Sequence, residues 1–130
     1  MFRSIACHIG IYAYDVEALK DWYCRILDFQ MVHCLLKADR PPIYFLRKDD
    51  LLLELLPTRE ARQNRMLTAP GISHVAFRVE DFNSVLASLE ANGITVENVR
   101  STSNGWNIGY FRDIENNWIE IYECEEDPFF

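Results

Sequence analysis

Long apolar runs, basic clusters and paired cysteines are all missing from this 130-residue chain. No stretch approaches the roughly 18 apolar residues that a membrane-spanning helix needs. The opening Met1-Phe2-Arg3-Ser4-Ile5 runs straight into an amphipathic pattern, not into an apolar segment of signal-peptide length. Asp and Glu outnumber Lys and Arg by 20 to 13, giving a formal net charge of −7. With no run of Lys or Arg to compensate, such a surface repels a phosphate backbone and an anionic lipid surface, so neither nucleic acid nor membrane is an expected partner. The four cysteines, Cys7, Cys24, Cys34 and Cys124, form no C-x-x-C pair and no zinc-finger spacing. The expectation is reduced, mostly buried thiols in a cytoplasmic protein. What is present is apolar material, 49% of the residues, enough for one domain's core.

The informative pattern is an internal repeat. The first half opens Ser4-Ile-Ala-Cys-His8-Ile-Gly-Ile-Tyr-Ala-Tyr-Asp15, the second Gly71-Ile-Ser-His74-Val-Ala-Phe-Arg-Val-Glu-Asp81. Each opening alternates like a strand, and each Asp stands where a helix N-cap belongs. Val16, Leu19, Trp22, Tyr23, Ile26 and Leu27 then follow at helical spacing, as do Phe82, Val85, Leu86 and Leu89 before Gly93. Three short strands are expected after each helix, near 29–37, 42–47 and 50–56 and near 94–100, 107–112 and 117–123. Asp49-Asp50 and Asn116-Asn117 are the expected turns. The chain thus divides into a βαβββ module over 1–57, a linker over 58–70, a second βαβββ module over 71–124 and a tail over 125–130. Glu123, Glu125, Glu126 and Asp127 read as solvated, and Phe129-Phe130 as packed on a neighbour or disordered.

The repeat extends to acidic residues. Glu54 lies in Leu51-Leu-Leu-Glu-Leu-Leu56 and Glu120 in Asn117-Trp-Ile-Glu-Ile-Tyr122. From His8 to Glu54 is 46 residues, as is His74 to Glu120, and the offset between copies is 66 residues for the His, the Asp and the Glu alike. A carboxylate in a strand that is apolar on both sides must be paired, protonated or bound to a cation. Strand parity places His8, Gly10 and Tyr12 on one face, with Leu52, Glu54 and Leu56 sharing another; His74, Ala76 and Arg78 and then Trp118, Glu120 and Tyr122 repeat the arrangement. These side chains can all turn away from the helices. Two imidazoles and two carboxylates suit a divalent Zn, Ni, Co, Mn or Fe(II) ion better than Ca or Mg. A lone His on a strand is more often a hydrogen-bonded core residue than a ligand; the repetition favours the ligand reading.

On these residues the chain resembles the vicinal oxygen chelate superfamily, which includes glyoxalase I, methylmalonyl-CoA epimerase, extradiol dioxygenases and the fosfomycin and bleomycin resistance proteins. The resemblance runs from Ile5 to Glu123. It is carried by His8-Ile-Gly-Ile with Asp15, by Trp22-Tyr23-Cys-Arg-Ile-Leu27-Asp-Phe29, by Ile72-Ser-His74-Val-Ala-Phe-Arg-Val-Glu-Asp81, and by Tyr110-Phe-Arg-Asp113-Ile-Glu-Asn-Asn-Trp-Ile-Glu120. It implies an α+β fold in which two tandem βαβββ modules curl their mixed sheets into a metal-binding cup. Carried over position by position, His8, Glu54, His74 and Glu120 fall on the four metal ligands of glyoxalase I. Ile114 and Asn116 replace a Pro and a Gly of the final turn, and Asp28 replaces a Gly. Tyr12 stands where glyoxalase I usually has an Arg, while Arg78 occupies the matching place in the second copy.

The resemblance implies a divalent-metal-dependent, lactoylglutathione lyase-like isomerase or lyase. Its substrate would be a small 2-oxo or 2-hydroxy carbonyl compound, a thiol adduct among the options, converted by enediolate chemistry. Glu54 and Glu120 are the expected catalytic carboxylates, and Tyr12, Arg78 and Trp106 the expected substrate contacts. Arg59, Arg62 and Arg65, three apart, would line one side of a short helix, either as a solvated stripe or, with Arg78, as a grip on an anionic substrate tail. The alternatives are an Fe(II) extradiol-type dioxygenase using His8, His74 and Glu120, and a non-catalytic small-molecule-binding resistance protein. The ligands must meet within one chain or across a homodimer interface, and a homodimer is the expected assembly.

Overall fold

Asp15 and Asp81 each start a helix. The Asp15 side chain accepts a hydrogen bond from the Ala18 N–H at 3.0 Å, and that of Asp81 accepts one from the Ser84 N–H at 3.0 Å, each satisfying an otherwise orphaned first-turn donor. A computed structural model describes residues 1–129 of the chain and divides into two compact units, Met1–Gln63 and Asn64–Phe130.

The first unit runs β1 (Ile9–Ala13), α1 (Val16–Ile26), β2 (Gln30–Lys37), β3 (Arg40–Lys48) and β4 (Leu51–Pro57). Its sheet has the order β1-β4-β3-β2, with β1 parallel to β4 and the other pairs antiparallel. Register sorts the side chains into two faces. Ile9, Leu53 and Leu46 lie side by side, as do Ile11, Leu55 and Tyr44, whereas Gly10, Glu54, Phe45 and His33 make the row between them. Leu46, Leu53 and Leu55 are fully buried together with Ala13, Leu19 and Tyr23. Asp28 takes a positive φ of 57°, letting the Phe29 N–H turn back to the Tyr23 carbonyl at 3.2 Å and close the helix end.

The second unit repeats the plan with β5 (His74–Arg78), α2 (Phe82–Ala91), β6 (Glu97–Ser101), β7 (Asn107–Arg112) and β8 (Trp118–Glu123), in sheet order β5-β8-β7-β6. Again the first strand is parallel to the last. Val75, Ile119 and Phe111 form one row on the helix side, and Phe77, Ile121 and Gly109 the next. On the opposite face, Ala76, Glu120, Tyr110 and Glu97 share a row. The β7–β8 turn is held by the buried Asp113, whose carboxylate accepts from the backbone of Glu115 and Asn117 and from the Asn117 side chain, each at 2.9 Å. Asn116 supplies the positive φ, 68°, that this turn needs. The architecture is therefore α+β, two tandem βαβββ modules with mixed sheets.

Four expectations need correction. The segment carrying Arg59, Arg62 and Arg65 has no helix. Its backbone is used by distant donors, the Arg65 carbonyl accepting from Arg112 Nη2 at 2.8 Å and from Trp118 Nε1 at 2.9 Å. Strand β6 starts at Glu97, not Ile94, because the Ile94 N–H still bonds the Leu89 carbonyl at 2.9 Å to finish the helix. The acidic tail is not simply solvated. Asp127 is buried, accepting from the Tyr122 hydroxyl at 2.9 Å, and Glu123 accepts from the Phe82 N–H at 2.7 Å and from Asn107 Nδ2 at 3.1 Å. The thiols are all free, but only Cys124 is buried; Cys7 is exposed and Cys24 and Cys34 are half-buried. Phe129 is exposed and Phe130 lies outside the described residues.

Candidate metal centre

In the first unit, His8 directly precedes β1, and its Nε2 lies 3.7 Å from Glu54 Oε1. Glu54 reaches it from the neighbouring strand, where its register partner is Gly10. The other imidazole nitrogen, Nδ1, is 3.2 Å from Cys7 Sγ. Phe45, opposite Glu54 on β3, presents its ring edge-on to His8 at 5.7 Å between centroids, and His33 lies against the same ring at 5.8 Å.

The second unit has the same pair in a tighter form. His74 Nε2 is 3.2 Å from Glu120 Oε2. Ser73 Oγ donates to the Leu67 carbonyl at 3.1 Å, so it accepts from the Nδ1–H of His74, 2.8 Å away. That assignment leaves Nε2 facing the carboxylate. Tyr110, opposite Glu120 on β7, packs edge-on to His74 at 5.4 Å between ring centroids. Burial first, and then the neighbouring Glu120 carboxylate, push the Tyr110 phenol up to about 12.

Glu54 and Glu120 are half-buried, with side-chain exposures of 21% and 14%. Among the described residues no group of three or more His, Cys, Asp or Glu side chains is gathered to hold a metal ion; the donors come as one imidazole and one carboxylate in each unit. This nitrogen and oxygen donor chemistry fits a borderline divalent ion, and the Ser73 contact fixes the His74 tautomer as ligating histidines require.

The expected substrate contacts are placed differently from one another. Tyr12 is 67% exposed on β1, beside Leu56 in register. The Arg78 guanidinium is engaged, with Nε 4.0 Å from Asp127 Oδ2 and Nη2 donating to the Cys124 carbonyl at 3.4 Å. Trp106 stacks on Tyr122 at 5.0 Å and 15° and packs, half-buried, against a hydrophobic cluster that includes Ile108, Tyr110 and Trp118. It also borders a cavity of about 940 Å³ within the second unit, together with Glu80, Asn104, Glu123 and Asp127. Neither His74 nor Glu120 lines that cavity. Reading the sequence did not single out Ser73, Tyr110 or Asp127. Tyr110 was accessible by counting back from Glu120 through the Asn116 turn; the Ser73 and Asp127 contacts carry no local pattern.

Two βαβββ modules, each with a His on the first strand or immediately before it and a Glu on the last, define the class. Residues 6–121 match the Glyoxalase/Bleomycin resistance protein/Dioxygenase superfamily, and the chain belongs to that family. It is 30% identical to the uncharacterized protein YaeR of Escherichia coli strain K12, over 89% of this chain and 93% of that protein. Among solved structures it is similar to a glyoxalase family protein from Enterococcus faecalis, with TM-score 0.77 and 27% identity over 95% of this chain and all of that one. It is also similar to the lactoylglutathione lyase of Agrobacterium tumefaciens, with TM-score 0.67 and 25% identity over 93% and 94% of the two chains.

Proposed function

We propose that the protein is a divalent-metal-dependent isomerase or lyase of the glyoxalase I type, acting on a small 2-oxo or 2-hydroxy carbonyl compound. His8, Glu54, His74 and Glu120 would hold a Zn, Ni, Co, Mn or Fe(II) ion. The observation that carries this reading is the duplicated imidazole–carboxylate pair, 3.7 Å apart in one unit and 3.2 Å in the other, on the same strand positions of both modules. Likeness to a lactoylglutathione lyase supports the reaction class.

When bound, the ion supplies positive charge where negative charge develops on two neighbouring substrate oxygens. The residues do the rest. His74, with Nδ1 committed to Ser73, presents Nε2 as a fixed donor. One carboxylate, Glu54 or Glu120, takes the proton from the carbon beside the carbonyl and returns it to the neighbouring carbon. Tyr12, Arg78 and Trp106 are the proposed substrate contacts, with Arg78 exchanging its Asp127 partner for an anionic group of the substrate. The protein is further proposed to work as a homodimer in the cytoplasm.

Elemental analysis of protein purified without added metal, followed by assay with the methylglyoxal–glutathione adduct and with simple 2-hydroxy carbonyl compounds, tests the reading. The expected result is one divalent ion per chain, with turnover abolished and some metal retained in Glu54→Gln. A chain that takes up no Ni, Co, Zn or Fe overturns it. Oxygen consumption with a catechol would replace it by an Fe(II) dioxygenase.

A further inference from the structure

We infer that Asp127 is a specificity-determining residue: its carboxylate occupies the Arg78–Tyr122 pair as an internal stand-in, so that a ligand bearing its own carboxylate is admitted only by displacing the C-terminal segment. It rests on the reading of Arg78 as a substrate contact given above. Arg78 and Tyr122 are register partners on β5 and β8, two residues beyond the Ala76–Glu120 pair on each strand. Side chains two apart share a face, so this pair lies on the same face as Glu120, about 7 Å further along the sheet. A small molecule whose reacting end lies near Glu120 reaches the pair with an acid group a few carbons away.

After β8 ends at Glu123, the chain turns back over this pair. Asp127 Oδ2 accepts from the Tyr122 hydroxyl at 2.9 Å and lies 4.0 Å from Arg78 Nε, while Oδ1 accepts from the Phe129 N–H at 2.9 Å. Arg78 Nη2 also donates to the Cys124 carbonyl at 3.4 Å. A phenol and a guanidinium converging on one carboxylate are the donors that a free carboxylate would take. The Asp127 side chain is 1% exposed and that of Arg78 41%. The internal carboxylate is sealed in, and the guanidinium keeps an open flank from which a second carboxylate can approach before the first leaves. Residues 124–129 form neither helix nor strand, so their departure breaks no backbone ladder. The same segment lines the neighbouring cavity with Glu125, Glu126 and Asp127, alongside Glu80 and Glu123. With the segment in place the cavity repels anions. With it displaced, three of those five carboxylates leave and Arg78 is unmasked.

The test compares 2-oxoglutarate with 2-oxopentanoate, which differ only in the distal carboxylate, titrated at fixed ionic strength into the full chain as purified and again after a chelator has stripped it. Dissociation constants are read together with the nitrogen-15 signals of the Asp127 and Phe129 amides and of Arg78 Nε–H. In the wild type, 2-oxoglutarate is expected to move all three signals in step with binding, and 2-oxopentanoate to leave them in place. Asp127→Asn keeps the size and one acceptor oxygen, and is expected to raise the preference for 2-oxoglutarate by about tenfold, the order that one charge-assisted contact carries. A chain ending at Cys124 should do the same without any substitution beside the sheet. An unchanged preference in both variants, unmoved Asp127 and Phe129 signals while 2-oxoglutarate binds, or no binding of 2-oxoglutarate by any of the three proteins overturns the inference. A wild-type chain that takes up no metal overturns the metal reading instead, and the titration of stripped protein still scores Asp127.

Discussion

The Tyr44 hydroxyl donates to Glu17, whose carboxylate also accepts from Lys20 Nζ at 2.7 Å, so a strand, a helix and three ionisable groups are joined at one point of the first unit. Glu17, and then burial, push the Tyr44 phenol from 10 up to about 12. The Lys20 contact, followed by Tyr44, holds the Glu17 carboxyl below its usual range. A phenol whose pKa is raised on folding contributes stability that is complete below its unfolded pKa and is lost as the pH climbs from about 10 to about 12. Glu17 acts at the other end, contributing above its ordinary pKa of 4.5 and losing that contribution as the pH falls below it. Tyr44→Phe is therefore expected to cost roughly 1 kcal/mol at neutral pH and to remove the part of the alkaline stability loss that belongs to this phenol. Urea unfolding of both proteins across the range checks it; an unchanged alkaline profile would sink the assignment. This network was invisible in the sequence, because nothing local links residue 17 to residue 44.

At the scale of elements, both helices were legible, because an Asp cap followed by apolar residues at helical spacing is a local code, and the capping bonds of Asp15 and Asp81 follow it. The strands carrying the candidate ligands were legible through their alternation and the 66-residue repeat. The arginine segment was misread because a three-residue spacing of charges, without an apolar stripe to bury, gives a helix nothing to pack with. The acidic tail was misread for a related reason: Asp127 is buried by Tyr122 and Arg78, whose approach only the folded sheet brings about. Packing at Gly109 was equally hidden. A Cβ at this strand position would lie 2.7 Å from Val96 Cγ1 and 3.5 Å from the Phe82 ring, and a branched Val has little rotamer freedom with which to yield. Gly109→Ala is expected to destabilise the protein by about 1–3 kcal/mol, measured as a lower urea midpoint with an unchanged slope. A stability equal to wild type would show that the β6 side of the sheet is looser than described.

For the whole molecule, the two halves keep their topology and cap positions while differing at residues around the candidate ligands: Cys7 against Ser73, Gly10 against Ala76, Phe45 against Tyr110. The net charge of −7 includes the two carboxylates that a divalent ion would offset. Both parallel pairings, Ile9 with Leu53 and His74 with Trp118, join residues 44 positions apart, whereas the antiparallel pairs close across short turns. Joining distant segments costs loop entropy that nothing recovers until the intervening hairpins exist. Each sheet is therefore expected to assemble from its hairpin side, with β1 and β5 docking last. Since His8 abuts one of these strands and His74 opens the other, each imidazole meets its carboxylate only in the final step. Pulse-labelled hydrogen exchange should find the β3–β4 and β7–β8 amides protected before those of β1 and β5, and simultaneous protection would refute that order. A nascent chain would then have no paired donors with which to trap a stray cation before its sheets are complete.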